Sequence, residues 1–166
     1  MILAALALSF AVVTLLLPAR RAPTEQEPNR ADSRIISEFS GVATVSDGDT
    51  IRLGQRRFQL DGIAAPARRV MCGEVDVYRG ATDALRSITR SQTVTCRLSD
   101  QPDAEGQSRA RCSVDNIELN AYMVENGWAR GLGGAYAEQE AAARAAGRGV
   151  WSASCPSDLW RGSAQN

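Results

Sequence analysis

The four cysteines of this chain constrain its fold more than any other feature. Cys72, Cys96, Cys112 and Cys155 form an even set with no Cys-x-x-Cys spacing, and the chain contains no histidine to complete a mixed zinc site. Two disulfides are the reading this usage supports, with four buried thiols as the competing one. Between Cys96 and Cys112 lies Asp100-Gln101-Pro102-Asp103-Ala104-Glu105-Gly106-Gln107, a stretch of turn-forming residues, and both cysteines are equidistant from Ala104. A symmetric hairpin over Thr93–Leu98 and Arg109–Val114 sets them directly opposite each other, where cross-strand Cβ atoms lie about 4.5–5.5 Å apart, close enough to pair. Cys72 is then left for Cys155, which ties the chain ahead of its first helix to its C-terminal segment. Disulfides imply an oxidising compartment, so the expected localisation is periplasmic or secreted.

The remaining pattern predicts strands first and helices later. Val42 and Thr44, Ile51 and Leu53, and Phe58 and Leu60 alternate around Asp-Gly and Gly-Gln turns, which predicts three short antiparallel strands. Tyr78–Arg90 carries Ala81, Ala84, Leu85 and Ile88 at helical spacing, with Arg79, Arg86 and Arg90 on the remaining surface, so a surface helix is expected there. Asn120–Asn126 reads as a short helix closed by Gly127, and Ala135–Ala146 as an alanine-rich helix ended by Gly147 and Gly149. Trp128, Trp151 and Trp160 each follow a helix end or a turn, where a large ring caps a core.

A length of 166 residues and 44% hydrophobic content correspond to one globular domain plus a targeting segment. Residues Met1–Leu17 are apolar apart from Ser9 and Thr14, and Pro18 and Arg20-Arg21 follow. Residues 1–18 therefore read as a signal peptide or signal anchor, with inner-membrane attachment through residues 1–17 if the segment stays uncleaved. The arginine pair opposes export by the positive-inside rule, whereas the cysteines favour it. Residues 19–37 read as a solvated linker, 38–161 as the folded domain and 162–166 as a tail. All 19 basic residues are arginines and are balanced by 19 acidic ones, so the bulk field that draws many proteins to phosphate is absent.

Two segments carry the candidate chemistry: Asp47-Gly48-Asp49-Thr50, and Phe58-Gln59-Leu60-Asp61-Gly62-Ile63-Ala64-Ala65-Pro66-Ala67. With Leu119-Asn120-Ala121-Tyr122-Met123-Val124-Glu125-Asn126-Gly127-Trp128-Ala129, Gly149-Val150-Trp151 and the hairpin over Asp103–Ala110, they occur in an order that resembles the staphylococcal-nuclease (thermonuclease) family over residues Phe39 to Arg161. The resemblance implies an α+β fold, a five-stranded OB-type β-barrel with three helices. In active members calcium is held by the second aspartate of Asp-Gly-Asp-Thr and by the aspartate of Gly-Ile-Asp-Ala-Pro-Glu. The glutamate of that motif activates water, and two arginines neutralise the phosphate.

Carried over by position, the resemblance leaves Asp49 as a vestigial metal ligand, with the Ala65 backbone carbonyl as support. Ala64 stands at the second calcium aspartate and Ala67 at the general base, while Gln59 and Gln107 stand at the two arginines. Calcium requires about six to eight oxygen ligands, so no cofactor is expected, and calcium only if the chain is active. Arg57, Asp61 and Arg109 are the conceivable stand-ins, against the reading that they are surface charges; Asp47 and Asp49 read first as turn formers.

The resulting expectation is a catalytically degenerate, exported or membrane-anchored binding or accessory protein. Degenerate members of the family stand beside exopolysaccharide-synthesis genes in some bacteria, which makes surface-polysaccharide assembly part of that expectation. The candidate partners are an oligosaccharide, a nucleic acid or an envelope protein. The alternative is a calcium-dependent phosphodiesterase with a rearranged active site.

Overall fold

The structure, a computed structural model, describes residues 37–99, 108–152, 154–156 and 159–160. The apolar segment 1–17, most of the linker, Gln107 with the rest of the hairpin tip, and the tail 162–166 lie outside the described residues.

Five strands close into a barrel: β1 (Glu38–Asp47), β2 (Thr50–Leu53), β3 (Arg56–Leu60), β4 (Thr93–Leu98) and β5 (Ser108–Val114). β1 is one ten-residue strand with two partners. Glu38–Val42 pairs with β4 and Ala43–Asp47 with β2, so the strand spans the turn of the barrel. The remaining pairs are β2 with β3 and β4 with β5, and a parallel contact of β3 with β5 completes the closure, Gln59 opposite Arg109. This is the α+β, OB-type architecture expected from the sequence.

Val42 and Thr44 differ from the corresponding pairs of β2 and β3, Ile51 and Leu53, and Phe58 and Leu60, which are buried. They lie on the outer face of β1, Val42 69% exposed, while Phe39, Gly41, Ala43 and Val45 face inward. Side chains alternate with a period of two, so a one-residue error of phase exchanges the faces. With few strong apolar residues on either face, β1 gives little signal to fix that phase.

Helix α1 (Val77–Thr89) starts where the Asp76 side chain accepts the Arg79 N–H at 3.0 Å, and it buries Val77, Ala81, Leu85 and Thr89 as one stripe. α2 (Leu119–Glu125) and α3 (Ala137–Ala145) follow the barrel, α3 beginning after Tyr136, whose φ of 56° excludes it from a helix. The main core joins barrel interior and helices around Ile51, Phe58, Leu60, Leu85, Leu119 and Met123. Trp128 packs against this core, while Trp151 and Trp160 pack on a smaller cluster of Cys72, Val77, Val150 and Leu159.

Cys96 and Cys112 are directly opposite in the β4–β5 ladder and form a disulfide, and Cys72 is joined to Cys155. Two disulfides and no free cysteine are the usage of an oxidising compartment. Among the described residues no helix is long and apolar enough to cross a membrane.

Candidate functional site

The Asp-Gly-Asp-Thr segment folds as a tight connection in which Asp47 pairs with Thr50 and Gly48-Asp49 form the link from β1 to β2. Gly48 is required by packing. A Cβ there would meet the Ala81 Cβ at 2.6 Å and the Ala65 Cβ at 2.9 Å, so only glycine lets the turn rest on α1.

That packing half-buries Asp49. Its Oδ2 accepts the Ala65 N–H at 2.8 Å, its Oδ1 accepts the Thr50 hydroxyl at 3.1 Å, and its N–H donates to Asp47 Oδ1 at 3.3 Å. The Asp49 carbonyl accepts the Leu60 N–H at 2.7 Å, which clips the turn to β3. Burial, opposed by the Ala65 N–H and reinforced by the Asp47 carboxylate, pushes the Asp49 carboxyl up to about 6.

The donor set around Asp49 does not fit calcium. Two carboxylates and one hydroxyl fall short of the roughly six to eight oxygens the ion takes, and both Asp49 oxygens are engaged by protein donors. Ala65 meets Asp49 through its N–H, and the carbonyl that would support a metal is not the contacting group. Among the described residues no group of three or more His, Cys, Asp and Glu side chains is placed to hold a metal ion.

The structure brings some of the sequence candidates together and separates others. Gln59 is opposite Thr50 on one side and Arg109 on the other, next to the Asp49 turn. Ala64 is buried and Ala67 is half-buried beyond it. Arg57 reaches to 4.0 Å from Asp47 Oδ2, with more than half of its side chain exposed. Asp61 goes elsewhere: its Oδ2 accepts the Ser99 hydroxyl at 2.7 Å, and it lines a separate cavity over β4 and β5.

No protein-family model matches the chain. Among curated proteins it is similar to the succinoglycan biosynthesis protein ExoI of Rhizobium meliloti (strain 1021), with 27% identity over 136 residues that span 74% of this chain and 69% of that protein. The closed barrel with three helices is compatible with a nuclease-like OB fold.

Sequence reasoning missed the residues around Asp61. Asn120 is fully buried; its Oδ1 accepts the Cys112 N–H, and its Nδ2 donates to the carbonyls of Asp61 (2.8 Å) and Ala110 (3.2 Å). Tyr136 donates its hydroxyl to Glu118 Oε1 at 2.6 Å. The available signal was the alternation in Thr95-Cys96-Arg97-Leu98-Ser99 and Arg111-Cys112-Ser113-Val114-Asp115, whose polar members share one face once the cysteines are known to point inward.

Proposed function

We propose that this chain is an exported, nuclease-like OB domain without nuclease chemistry, a binding or accessory protein in exopolysaccharide synthesis. The observation that carries the reading is the condition of Asp49, whose oxygens serve the fold of its own turn through Ala65 and Thr50. Gln59, Ala64, Ala67 and Gln107 supply neither the carboxylates nor the guanidinium groups that phosphodiester hydrolysis by this route uses. Each such loss costs on the order of 100-fold in rate, and the losses compound.

The similarity to a protein named for succinoglycan biosynthesis supports a place in polysaccharide assembly. The two disulfides support the periplasm or cell exterior, either free or anchored through residues 1–17. Affinity electrophoresis of the full chain in native gels cast with succinoglycan tests the reading. Retarded migration is expected, and unchanged mobility together with unchanged polysaccharide output in a deletion strain contradicts it.

The second reading is a calcium-dependent phosphodiesterase with a rearranged site. Arg57, whose guanidinium lies 4.0 Å from Asp47 Oδ2, and Arg109, which is opposite Gln59 in the β3–β5 pairing, favour it.

A further inference from the structure

We propose that the cavity over the outer face of β4 and β5 is a saccharide-binding site, an inference that rests on the reading of the chain as an exopolysaccharide accessory protein. The cavity has a volume of about 660 Å³, inside the range of roughly 300–1,000 Å³ typical of ligand clefts. Its floor is stiff. Thr95, Arg97, Arg111 and Ser113 occupy outward positions of the two strands, and the alternate inward positions hold the Cys96–Cys112 disulfide directly behind them.

The rim carries two carboxylates, each held by a protein hydroxyl. Ser99 donates to Asp61 Oδ2 at 2.7 Å and Tyr136 donates to Glu118 Oε1 at 2.6 Å. Among the described residues the second oxygen of each meets no protein donor. The Asp61 backbone is itself fixed, its N–H on the Ala110 carbonyl at 2.9 Å and its carbonyl on Asn120. Tyr136 holds a backbone φ of 56°, a conformation a bulky residue adopts only when its surroundings impose it. Burial and then Glu118 raise the pKa of its hydroxyl, with Arg111 opposing and Asp61 adding, so the group stays a protonated donor and senses all three charges.

The donors are arginines with unequal surroundings. Arg97 and Arg111 are directly opposite in the ladder, where like charges are unfavourable. Glu38 relieves Arg97 through a contact at 2.7 Å, and exposed Arg111 has no ion pair among the described residues. A sugar hydroxyl both donates and accepts, and planar carboxylate and guanidinium groups each span a pair of neighbouring hydroxyls. Three carboxylates, from Asp61, Asp115 and Glu118, face two guanidinium groups, a balance that disfavours a phosphodiester and suits a polyhydroxylated ligand.

The test is titration of the isotopically labelled full chain, disulfides oxidised, with oligosaccharides released from succinoglycan by mild acid, read from backbone amide shifts. Saturable shifts are expected at Thr95–Ser99 and Arg111–Glu118, with affinity lowered at least ~10-fold by Arg111→Ala and by Glu118→Gln. Arg111 is exposed, so its variant keeps the fold, and an unchanged melting temperature verifies this. Absence of shifts at millimolar oligosaccharide overturns the proposal, as do equal shifts from a single-stranded oligonucleotide. Succinoglycan retardation that survives both substitutions moves the saccharide to another surface; it removes this cavity and leaves the accessory-protein reading standing.

Discussion

Two acidic clusters sit on this one barrel, and their carboxylates are used in opposite ways. At the β1–β2 turn, Asp47 and Asp49 are turned on each other and on backbone N–H groups, and the Asp49 oxygens are taken up by the Ala65 N–H and the Thr50 hydroxyl. Over β4 and β5, Asp61 and Glu118 are each tied, among the described residues, by a single hydroxyl beside an open cavity that also holds two arginines. A carboxylate whose oxygens are all engaged by its own fold contributes local structure, and one held at a single oxygen is oriented yet still able to bind. The difference separates turn formation from recognition without reference to the identity of the residue.

The largest effect is expected at the floor of the cavity. Cys96→Ala/Cys112→Ala opens a loop of 16 residues, for which loop-closure entropy gives a loss of about 3 kcal/mol. Denaturant unfolding measures it, and hydrogen exchange should rise along β4 and β5 before it rises at the β1–β2 turn. Asn120→Ala comes next. It strands the Cys112 N–H and the Asp61 carbonyl in the interior, while the Ala110 carbonyl keeps the Asp61 N–H, at a cost on the order of 2–3 kcal/mol. The same variant should broaden the amide signals of Asp61 and Ser99 while leaving those of Asp49 and Thr50 in place.

A smaller effect of opposite sign is expected at Asp49. Its folded-state value of about 6 lies above the ordinary 3.8, so it favours the fold when protonated. That contribution is complete below pH 3.8, falls as pH rises and is gone above about pH 6. Asp49→Asn removes the burden of the buried charge and should stabilise the protein by on the order of 1–2 kcal/mol at pH 8, with no gain at pH 3.5, in paired thermal melts. Retained or lowered stability at pH 8 would mean that Asp49 is poised for a partner. The smallest effect belongs to Arg57→Ala. A long contact from an exposed guanidinium should shift stability by less than about 0.5 kcal/mol, and a larger change would tie Arg57 to the Asp49 turn.

The barrel was legible because its signals are periodic or punctual. The Cys96–Cys112 symmetry located the β4–β5 register, and Ala81, Ala84, Leu85 and Ile88 marked α1 on the correct face. β1 was harder. Gly41, Ala43 and Val45 face inward while Val42 faces solvent, so small residues on both faces hid the phase. The Asp49 turn could be read from the order of residues alone, because its parts lie within a few positions or on adjacent strands. The cavity could be read only as far as Arg97 opposite Arg111 in the β4–β5 hairpin, since Asp61, Glu118 and Tyr136 join them only when the barrel closes and α3 starts at a left-handed residue. No local spacing encodes that meeting.

The most direct test of the contrast is hydrolysis of single-stranded DNA and RNA by the full chain, with calcium or with chelator, beside Asp49→Ala. The expected result is no turnover above the buffer in any arm. Cleavage that requires calcium and disappears in Asp49→Ala would contradict it, and would make the β1–β2 turn a working centre.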